Sequence, residues 1–203
     1  MSRTSKFNCL LCKGLIHMKD KSYKNALSLF TEAQSINPKN RDIVFYKASA
    51  MVMELLEITK KEELNYKRLK ALIDPIIGEL SVGVRIYPRS EYFLRFYRGI
   101  LYLYTHDYDK AATDLHQAIK NNEESNYKYH MYMGLSYACM NLLKEALNDF
   151  TIAIKMKEDY LTAYYNRGKC AYLLGNTDLA FSDFQKLLLI NPVSVVLKNR
   201  KTQ

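Results

Sequence analysis

The residues best suited to chemistry are cysteines and histidines, but their spacing does not assemble a reactive site. Cys9 and Cys12 form a single C-x-x-C, whereas Cys139 and Cys170 stand alone. A structural zinc requires four ligands, from a second clustered pair or from nearby histidines. A redox C-x-x-C belongs in a strand-turn-helix setting. Neither context is present, so we expect no metal and no redox chemistry, and four reduced cysteines in a reducing compartment.

The histidines and carboxylates do not form a catalytic group either. No serine, cysteine or carboxylate recurs beside the histidines as a base–nucleophile pair requires, and these histidines are His17, His106, His116 and His130. No glycine-rich phosphate loop or zinc-protease motif occurs. The pairs Asp149-Phe150 and Asp183-Phe184 fall at equivalent positions of a repeat, which indicates architecture. We therefore predict a non-enzymatic protein with no cofactor and no small-molecule substrate.

Composition is typical of an ordinary folded chain that does not cross a membrane. The 203 residues are 48% hydrophobic and 25% charged, with 7 Gly and 4 Pro, which leaves little room for flexible linkers. No apolar run of about eighteen residues occurs, so no membrane span is expected. The N-terminal apolar patch reads as the first helix of the fold, so no secretory signal is expected. These features favour the cytoplasm, with cytoskeletal or ciliary association as a further setting.

The net charge of +9 raises the alternative of nucleic-acid binding. Positive charge is concentrated in residues 1–24 (+5), 59–70 (+3) and 191–203 (+3). A nucleic-acid binder more often spreads such charge along the face that touches phosphates, and the 17 tyrosines could stack on bases. The distribution disfavours nucleic acid. It leaves a basic contact at Lys60, Lys61, Lys67 and Arg68 as the alternative.

A repeating unit organises the chain. Glycines recur at steps of 35 and 34 residues from Gly99 to Gly134 to Gly168, and a period of this size is the signature of a helical solenoid. Twelve residues after each of these glycines, and after Gly14, stands an alanine: Ala26, Ala111, Ala146 and Ala180. Four residues further on comes a large apolar residue: Phe30, Leu115, Phe150 and Phe184. This spacing marks one helical face.

Prolines at 38, 88 and 192 close three of the units, since proline cannot extend a helix. With the segments 13–38 (KGLIHMKDKSYKNALSLFTEAQSINP) and 164–192 (YYNRGKCAYLLGNTDLAFSDFQKLLLINP), the chain resembles the tetratricopeptide repeat family. The resemblance implies an all-α fold, a right-handed superhelix of antiparallel helix pairs. We predict a single solenoid domain over 1–203, with repeats near 7–40, 41–90, 92–125, 127–160 and 161–194 and a short tail, 195–203.

Within each predicted pair, the glycine of the first helix should sit where the alanine of the second approaches closely, and Ala48 replaces the glycine in the second repeat. Polar turn residues precede the second helices, at Lys21, His106, Asn141 and Gly175. Lys13, Arg98 and Arg167 occupy an expected apolar column. We expect their stems to lie on apolar surface while the charges stay in water.

The second repeat is longer than the others. It exceeds the period of about 34 residues by about sixteen, which we place between its two helices. Thr59 and Glu62 have capping-box spacing. Asp74-Pro75 indicates either a new helix start or a kink within one long helix. Helical apolar spacing favours an elongated helical pair over a disordered loop, and such insertions can carry an individual protein's specificity.

The resemblance implies a concave groove lined by the first helix of each repeat. Carried over by column, the groove residues are Phe45, Phe93, Phe96, Ile100, Leu103, Tyr104, Met131, Leu135, Tyr165, Lys169 and Tyr172. One subclass of the family clamps the C-terminal carboxylate of heat-shock chaperones with Lys, Asn and Arg in these columns. Here they hold Leu11 and Leu15, Phe96 and Ile100, or Met131 and Leu135, so a chaperone carboxylate clamp is disfavoured.

An apolar groove suits a protein or peptide segment with hydrophobic anchors. The alternative is that these aromatics form interior packing, or that the insert or tail fills the groove. After Pro192 only a short marginal helix with Val195, Val196 and Leu197 could cover the last repeat. Self-association at the ends, cover by a partner, or a longer parent protein would each account for that. We predict a protein-interaction scaffold or adaptor.

Overall fold

The computed structural model describes residues 2–87, 92–120 and 126–190. Within this part of the chain there are ten α-helices and no strand. Their bounds are α1 Arg3–Lys19, α2 Tyr23–Ile36, α3 Arg41–Lys61, α4 Tyr66–Ile86, α5 Tyr92–Tyr104, α6 Tyr108–Lys120, α7 Tyr127–Cys139, α8 Leu143–Met156, α9 Leu161–Leu173 and α10 Thr177–Ile190. The expected all-α fold is confirmed. The predicted stops at Pro88 and Pro192 and the tail 195–203 lie outside the described residues.

The chain divides into two compact units, residues 1–105 and 106–203. The predicted third repeat has its first helix, α5, in the first unit and its second helix, α6, in the second. One continuous domain of five repeats stays a prediction.

In the first unit, consecutive helices α1 to α5 pack against one another. Short turns between contacting helices produce antiparallel pairs. The core of this unit combines the predicted columns with residues of α3, α4 and α5: Ala26, Phe30 and Ala33 are fully buried, as are Ile43 on α3, Ile73 on α4 and Leu94 on α5. The second helix of the first pair, α2, therefore supplies a small–large–small stripe that its neighbours cover.

In the second unit, helices α6 to α10 pack in the same consecutive order. Its core repeats the stripe with Ala146, Phe150 and Ala153, all fully buried. Met131, Ala163 and Cys170 from the first helices pack against it. Residues that recur with the repeat period in the sequence are thus buried at equivalent positions of successive helix pairs.

The turns after the first helices share one backbone geometry. The predicted turn residues all have positive φ: Lys21 (57°), His106 (65°), Asn141 (61°) and Gly175 (78°). At three of these turns the next amide donates to the carbonyl five residues earlier: Ser22 to His17 (2.8 Å), Leu142 to Tyr137 (2.9 Å) and Asn176 to Ala171 (2.9 Å). This pattern ends an α-helix in a left-handed residue and satisfies its last carbonyls.

Recurring glycines of the first helices lie against a large aromatic residue of the second helix. A Cβ built on Gly14 would lie 2.3 Å from the Phe30 ring, and one on Gly134 would lie 2.7 Å from the Phe150 ring. The glycine therefore makes room for the aromatic ring of the second helix. The second repeat has the smaller Leu80 in the ring's column, together with Ala48.

The long second repeat is a pair of 21-residue helices, α3 and α4, joined by residues 62–65. The extra residues thus lengthen both helices. The expected helix start at Thr59 is wrong, and of the two alternatives for Asp74-Pro75 the new helix start does not occur. Thr59 lies inside α3, where its hydroxyl donates to the Leu56 carbonyl (3.0 Å), and Asn65 caps α4 by accepting from the Arg68 amide (2.9 Å). Pro75 lies within α4.

Candidate functional site

The exposed face of α9 carries the clearest candidate contacts. Tyr165 is 50% exposed, Tyr172 is 67% exposed, and Lys169 between them is also exposed. Their spacing of four and three residues places them on one side of the helix. The Lys169 Nζ lies 5.5 Å from the centroid of the Tyr165 ring, a cation–π distance. These predicted groove residues therefore form one accessible surface.

The neighbouring first helix, α7, contributes less of its predicted surface. Leu135 is half-buried and packs against the core, but Met131 is only 2% exposed and belongs to the core itself. The placement of Met131 in an open groove is wrong because the side chain fills the layer between its neighbouring helices. Lys128 and Cys139, at either end of α7, are exposed.

In the first unit, the predicted groove residues are largely half-buried. Phe45 and Phe93 meet edge to face with ring centroids 4.3 Å apart, and Phe93 packs against the core. Phe96, Ile100 and Leu103 on α5 are also half-buried. Part of this aromatic set is thus internal packing, as the alternative interpretation of the sequence anticipated.

Tyr104 lies beside the lengthened repeat. It lines a cavity of about 510 Å³ with Leu64 and Leu69 and with Lys60 and Lys61. The neighbouring Tyr66 hydroxyl donates to the Thr105 carbonyl (3.0 Å), which ties the start of α4 to the end of α5. Tyr104, which was predicted for the groove, therefore lines the same cavity as Lys60 and Lys61, which were predicted for the basic contact.

Ion pairs reduce the charge that the basic insert offers. Lys60 pairs with Glu57 (3.0 Å) and Arg68 pairs with Glu62 (2.9 Å), while Lys61 and Lys67 are exposed. The hydrogen bond from Lys60 lowers the pKa of Glu57, which keeps that carboxylate charged. Phosphate binding depends on unneutralised cations, so this surface is weaker for nucleic acid than its sequence suggests.

Buried carboxylates recur at one repeat position that the sequence analysis assigned only to architecture. Asp114, Asp149 and Asp183 are all buried. Asp149 Oδ1 lies at hydrogen-bond distance, 2.8 Å, from His130 Nδ1. Asp183 accepts hydrogen bonds from Arg167 with both carboxylate oxygens. The Arg167 charge is therefore buried in an ion pair and does not stay in water as expected, and burying both charges requires this pairing.

The described residues contain no group of three histidine, cysteine or acidic side chains that could hold a metal ion. In the same part of the chain, every helix is too short or too polar to cross a bilayer. The four cysteines are free thiols, with Cys12 and Cys139 exposed and Cys170 buried. Burial raises the pKa of the Cys170 thiol, which disfavours its reactive thiolate.

Successive helix pairs with equivalent buried layers define a helical-repeat protein of the class that commonly binds other proteins. The model of the tetratricopeptide repeat matches residues 98–141 and 133–193. Tetratricopeptide repeat protein 13 from Homo sapiens is 31% identical over 135 residues, which cover 64% of this chain and 15% of that relative. The chain thus spans a small part of the length of this curated relative.

Solved structures share the fold. MamA is 17% identical with a TM-score of 0.74, covering 93% of this chain and 93% of that chain. YrrB, described as a tetratricopeptide repeat protein with an unusual peptide-binding site, is 16% identical with a TM-score of 0.70, covering 96% of this chain and 91% of that chain. Residues 98–193 thus match the tetratricopeptide repeat family, and the chain shares the fold of these solved structures.

Proposed function

We propose that the chain is a non-enzymatic scaffold that binds a protein segment through the exposed faces of its first helices. The observation that carries the proposal is the accessible surface of α9, where two large aromatic side chains flank a lysine. Exposed tyrosines supply large contact areas and lose little conformational entropy on binding. The proposal is consistent with the peptide-binding site that the description of YrrB reports for that protein.

The occupant we propose is a peptide segment with hydrophobic anchors. Aromatic anchors that become fully desolvated contribute most of the affinity in protein interfaces. In the first unit, Phe96, Ile100 and Leu103 retain some exposure and would form a second contact area. We place the protein in the cytoplasm, with cytoskeletal or ciliary association as one setting.

The test is selection of random displayed peptides on the immobilised full chain. The double variant Tyr165→Ala, Tyr172→Ala should bind the selected peptides at least tenfold more weakly, because it removes both aromatic anchors of α9. Phe181→Ala is the matched control, since Phe181 is 70% exposed but lies on α10. Helical circular dichroism confirms that all variants fold.

Two results would contradict this proposal. The first is that no peptide is selected on the wild-type chain above an unrelated helical protein. The second is that the selected peptides bind the Tyr165→Ala, Tyr172→Ala variant as well as they bind the wild type. A parallel variant, Phe96→Ala, Ile100→Ala, measures the contribution of α5 separately.

A further inference from the structure

Among the helices that the structure describes in the second unit, acidic side chains lie on α6, α8 and α10 and not on α7 or α9. The first helices α7 and α9 contain no aspartate or glutamate, and their cations include Lys128, Arg167 and Lys169. The second helices carry both signs of charge. Their carboxylates are Asp109 and Asp114 on α6, Glu145 and Asp149 on α8, and Asp178 and Asp183 on α10, and their lysines are Lys110, Lys120, Lys144, Lys155 and Lys186. The helices α7 and α9 themselves therefore contribute cations and no negative side chain.

Of these three cations, Arg167 forms an ion pair within the protein. Arg167 binds the buried Asp183, with a side chain that is 14% exposed, and so contributes to stability. Lys128 and Lys169 are exposed and form no ion pair among the described residues. Their charges therefore remain available to a ligand.

The surroundings of Lys169 also favour a carboxylate. The turn that precedes α9 carries two exposed carboxylates, Glu158 and Asp159, of which Asp159 is paired with Lys157 at 4.0 Å. Lys169 lies eight residues after the start of α9, and the helix rises about 1.5 Å per residue, so about 12 Å of helix separates the position of Lys169 from that turn. The Tyr165 ring lies beside the Lys169 ammonium. Phenol hydroxyls and ammonium groups can both donate to carboxylate oxygens.

We infer that the segment bound at α7 and α9 is acidic as well as apolar, with aspartate or glutamate beside its hydrophobic anchors. The inference rests on the proposed function and adds the charge of the ligand. A carboxylate of the bound segment pairs with Lys169 between Tyr165 and Tyr172, and the adjacent hydrophobic anchor of the segment packs against the two tyrosine rings. A basic segment would meet two lysines and no carboxylate, so the surface rejects it.

A protein segment fits this surface better than a nucleic acid. Nucleic-acid affinity comes from several cations that follow a phosphate backbone. The exposed face of α9 offers one lysine between two tyrosines, and α7 adds Lys128. This arrangement matches one or two isolated carboxylates and not a continuous anionic chain.

The experiment uses the random displayed peptides on the full chain and compares two charge-reversal variants. Lys128→Glu, Lys169→Glu removes the cations of the first helices. Lys144→Glu, Lys155→Glu makes the same change in net charge on exposed positions of α8. Peptides selected on wild type should be enriched in aspartate and glutamate next to large apolar residues. Their affinity should fall about tenfold in the first variant and less than twofold in the second.

The outcomes separate the two proposals. Peptides that depend on Tyr165 but show no acidic preference would overturn the charge inference and leave the scaffold proposal intact. If no selected peptide depends on Tyr165, both proposals fail. Displacement of the peptides by a random single-stranded oligonucleotide at a similar concentration would also overturn the inference, because the surface would then bind anions without selecting a protein segment.

Discussion

Arg167 and Asp183 form a two-point ion pair inside the last helix pair. Arg167 Nε lies 2.8 Å from Asp183 Oδ2 and its Nη2 lies 2.6 Å from Oδ1, while Nη1 donates to Thr151 Oγ1 at 3.2 Å. The hydrogen bonds that Arg167 donates to Asp183 raise the pKa of Arg167, so the guanidinium stays charged. One repeat earlier, Met133 replaces the arginine and His130 binds the equivalent Asp149. The carboxylate is retained while its partner changes.

Asp183→Ala should lower the free energy of unfolding by about 3 kcal/mol, because it leaves the Arg167 guanidinium buried without its counter-charge. Urea denaturation followed by circular dichroism measures the change. Gln185→Ala, at an exposed position of the same helix, is the control and should stay within about 0.5 kcal/mol of wild type. The double variant Arg167→Met, Asp183→Leu should recover most of the loss. A change of less than about 0.5 kcal/mol in Asp183→Ala would contradict a stabilising role for the pair.

The fold could be predicted from the sequence because its repeating columns are simple. Ala146, Phe150 and Ala153 show the spacing of one helix face, and all three are buried. A chain of helix pairs is the arrangement that covers such a face in every repeat. The positions of the turn residues could also be predicted from the sequence, whereas their positive φ could be seen only in the backbone of the structure.

The candidate surface was harder to predict because side-chain direction depends on the neighbouring repeat. Met131 and Tyr165 occupy equivalent columns, yet one is buried and the other is half exposed. α9 follows α8 and covers the face that holds Met131, whereas no described helix follows α10. The Asp183 pair was missed because a charged residue in a repeating column resembles a solvated position.

Gly134→Ala should destabilise the protein by about 1–2 kcal/mol. Its Cβ would lie 2.7 Å from the Phe150 ring, and such overpacking costs about 1–3 kcal/mol, partly offset by the better helix propensity of alanine. Thermal denaturation of single and double variants measures the effect. Phe150→Leu should relieve it, so the double variant should be more stable than the sum of the singles by about 1 kcal/mol.

Gly78 provides the control for this helix-propensity effect. A Cβ on Gly78 would meet no atom within 4 Å. Gly78→Ala should therefore raise stability by up to about 1 kcal/mol. Equal effects of alanine at positions 78 and 134 would show that the aromatic ring does not require the glycine.

Stability should fall at alkaline pH, partly through Tyr97. Burial raises the pKa of the Tyr97 phenol above its usual value, and burial also raises the pKa of Tyr137 and Tyr160. The folded state thus holds these protons more tightly than the unfolded state. Their contribution is complete below the unfolded pKa of about 10 and is lost as pH rises through the folded pKa.

Tyr97→Phe removes one ionisable group from this balance. Its free energy of unfolding should decline less steeply than that of wild type above about pH 10, as measured by urea denaturation across a pH series. Tyr137 and Tyr160 remain, so part of the decline should persist. Identical slopes for variant and wild type would show that Tyr97 does not contribute.

The positive-φ turns predict opposite effects for two substitutions. Gly175 has φ of 78° and a Cβ there would meet nothing within 4 Å, so Gly175→Ala tests the backbone alone. It should cost about 1 kcal/mol, the strain of a side chain in the left-handed region. Lys21, with φ of 57°, already bears that strain. Lys21→Gly should therefore raise stability by about 0.5–1 kcal/mol in thermal denaturation.

Lys21→Ala is the control, since it removes the same charge but keeps a Cβ in the left-handed region. If alanine and glycine at position 21 stabilised the protein equally, the gain would come from the loss of charge and not from the backbone. A gain with glycine alone would show that the hydrogen bond from Ser22 to the His17 carbonyl closes α1 around a strained residue. The same geometry at Asn141 predicts a smaller gain for Asn141→Gly, because asparagine tolerates this region better than lysine does.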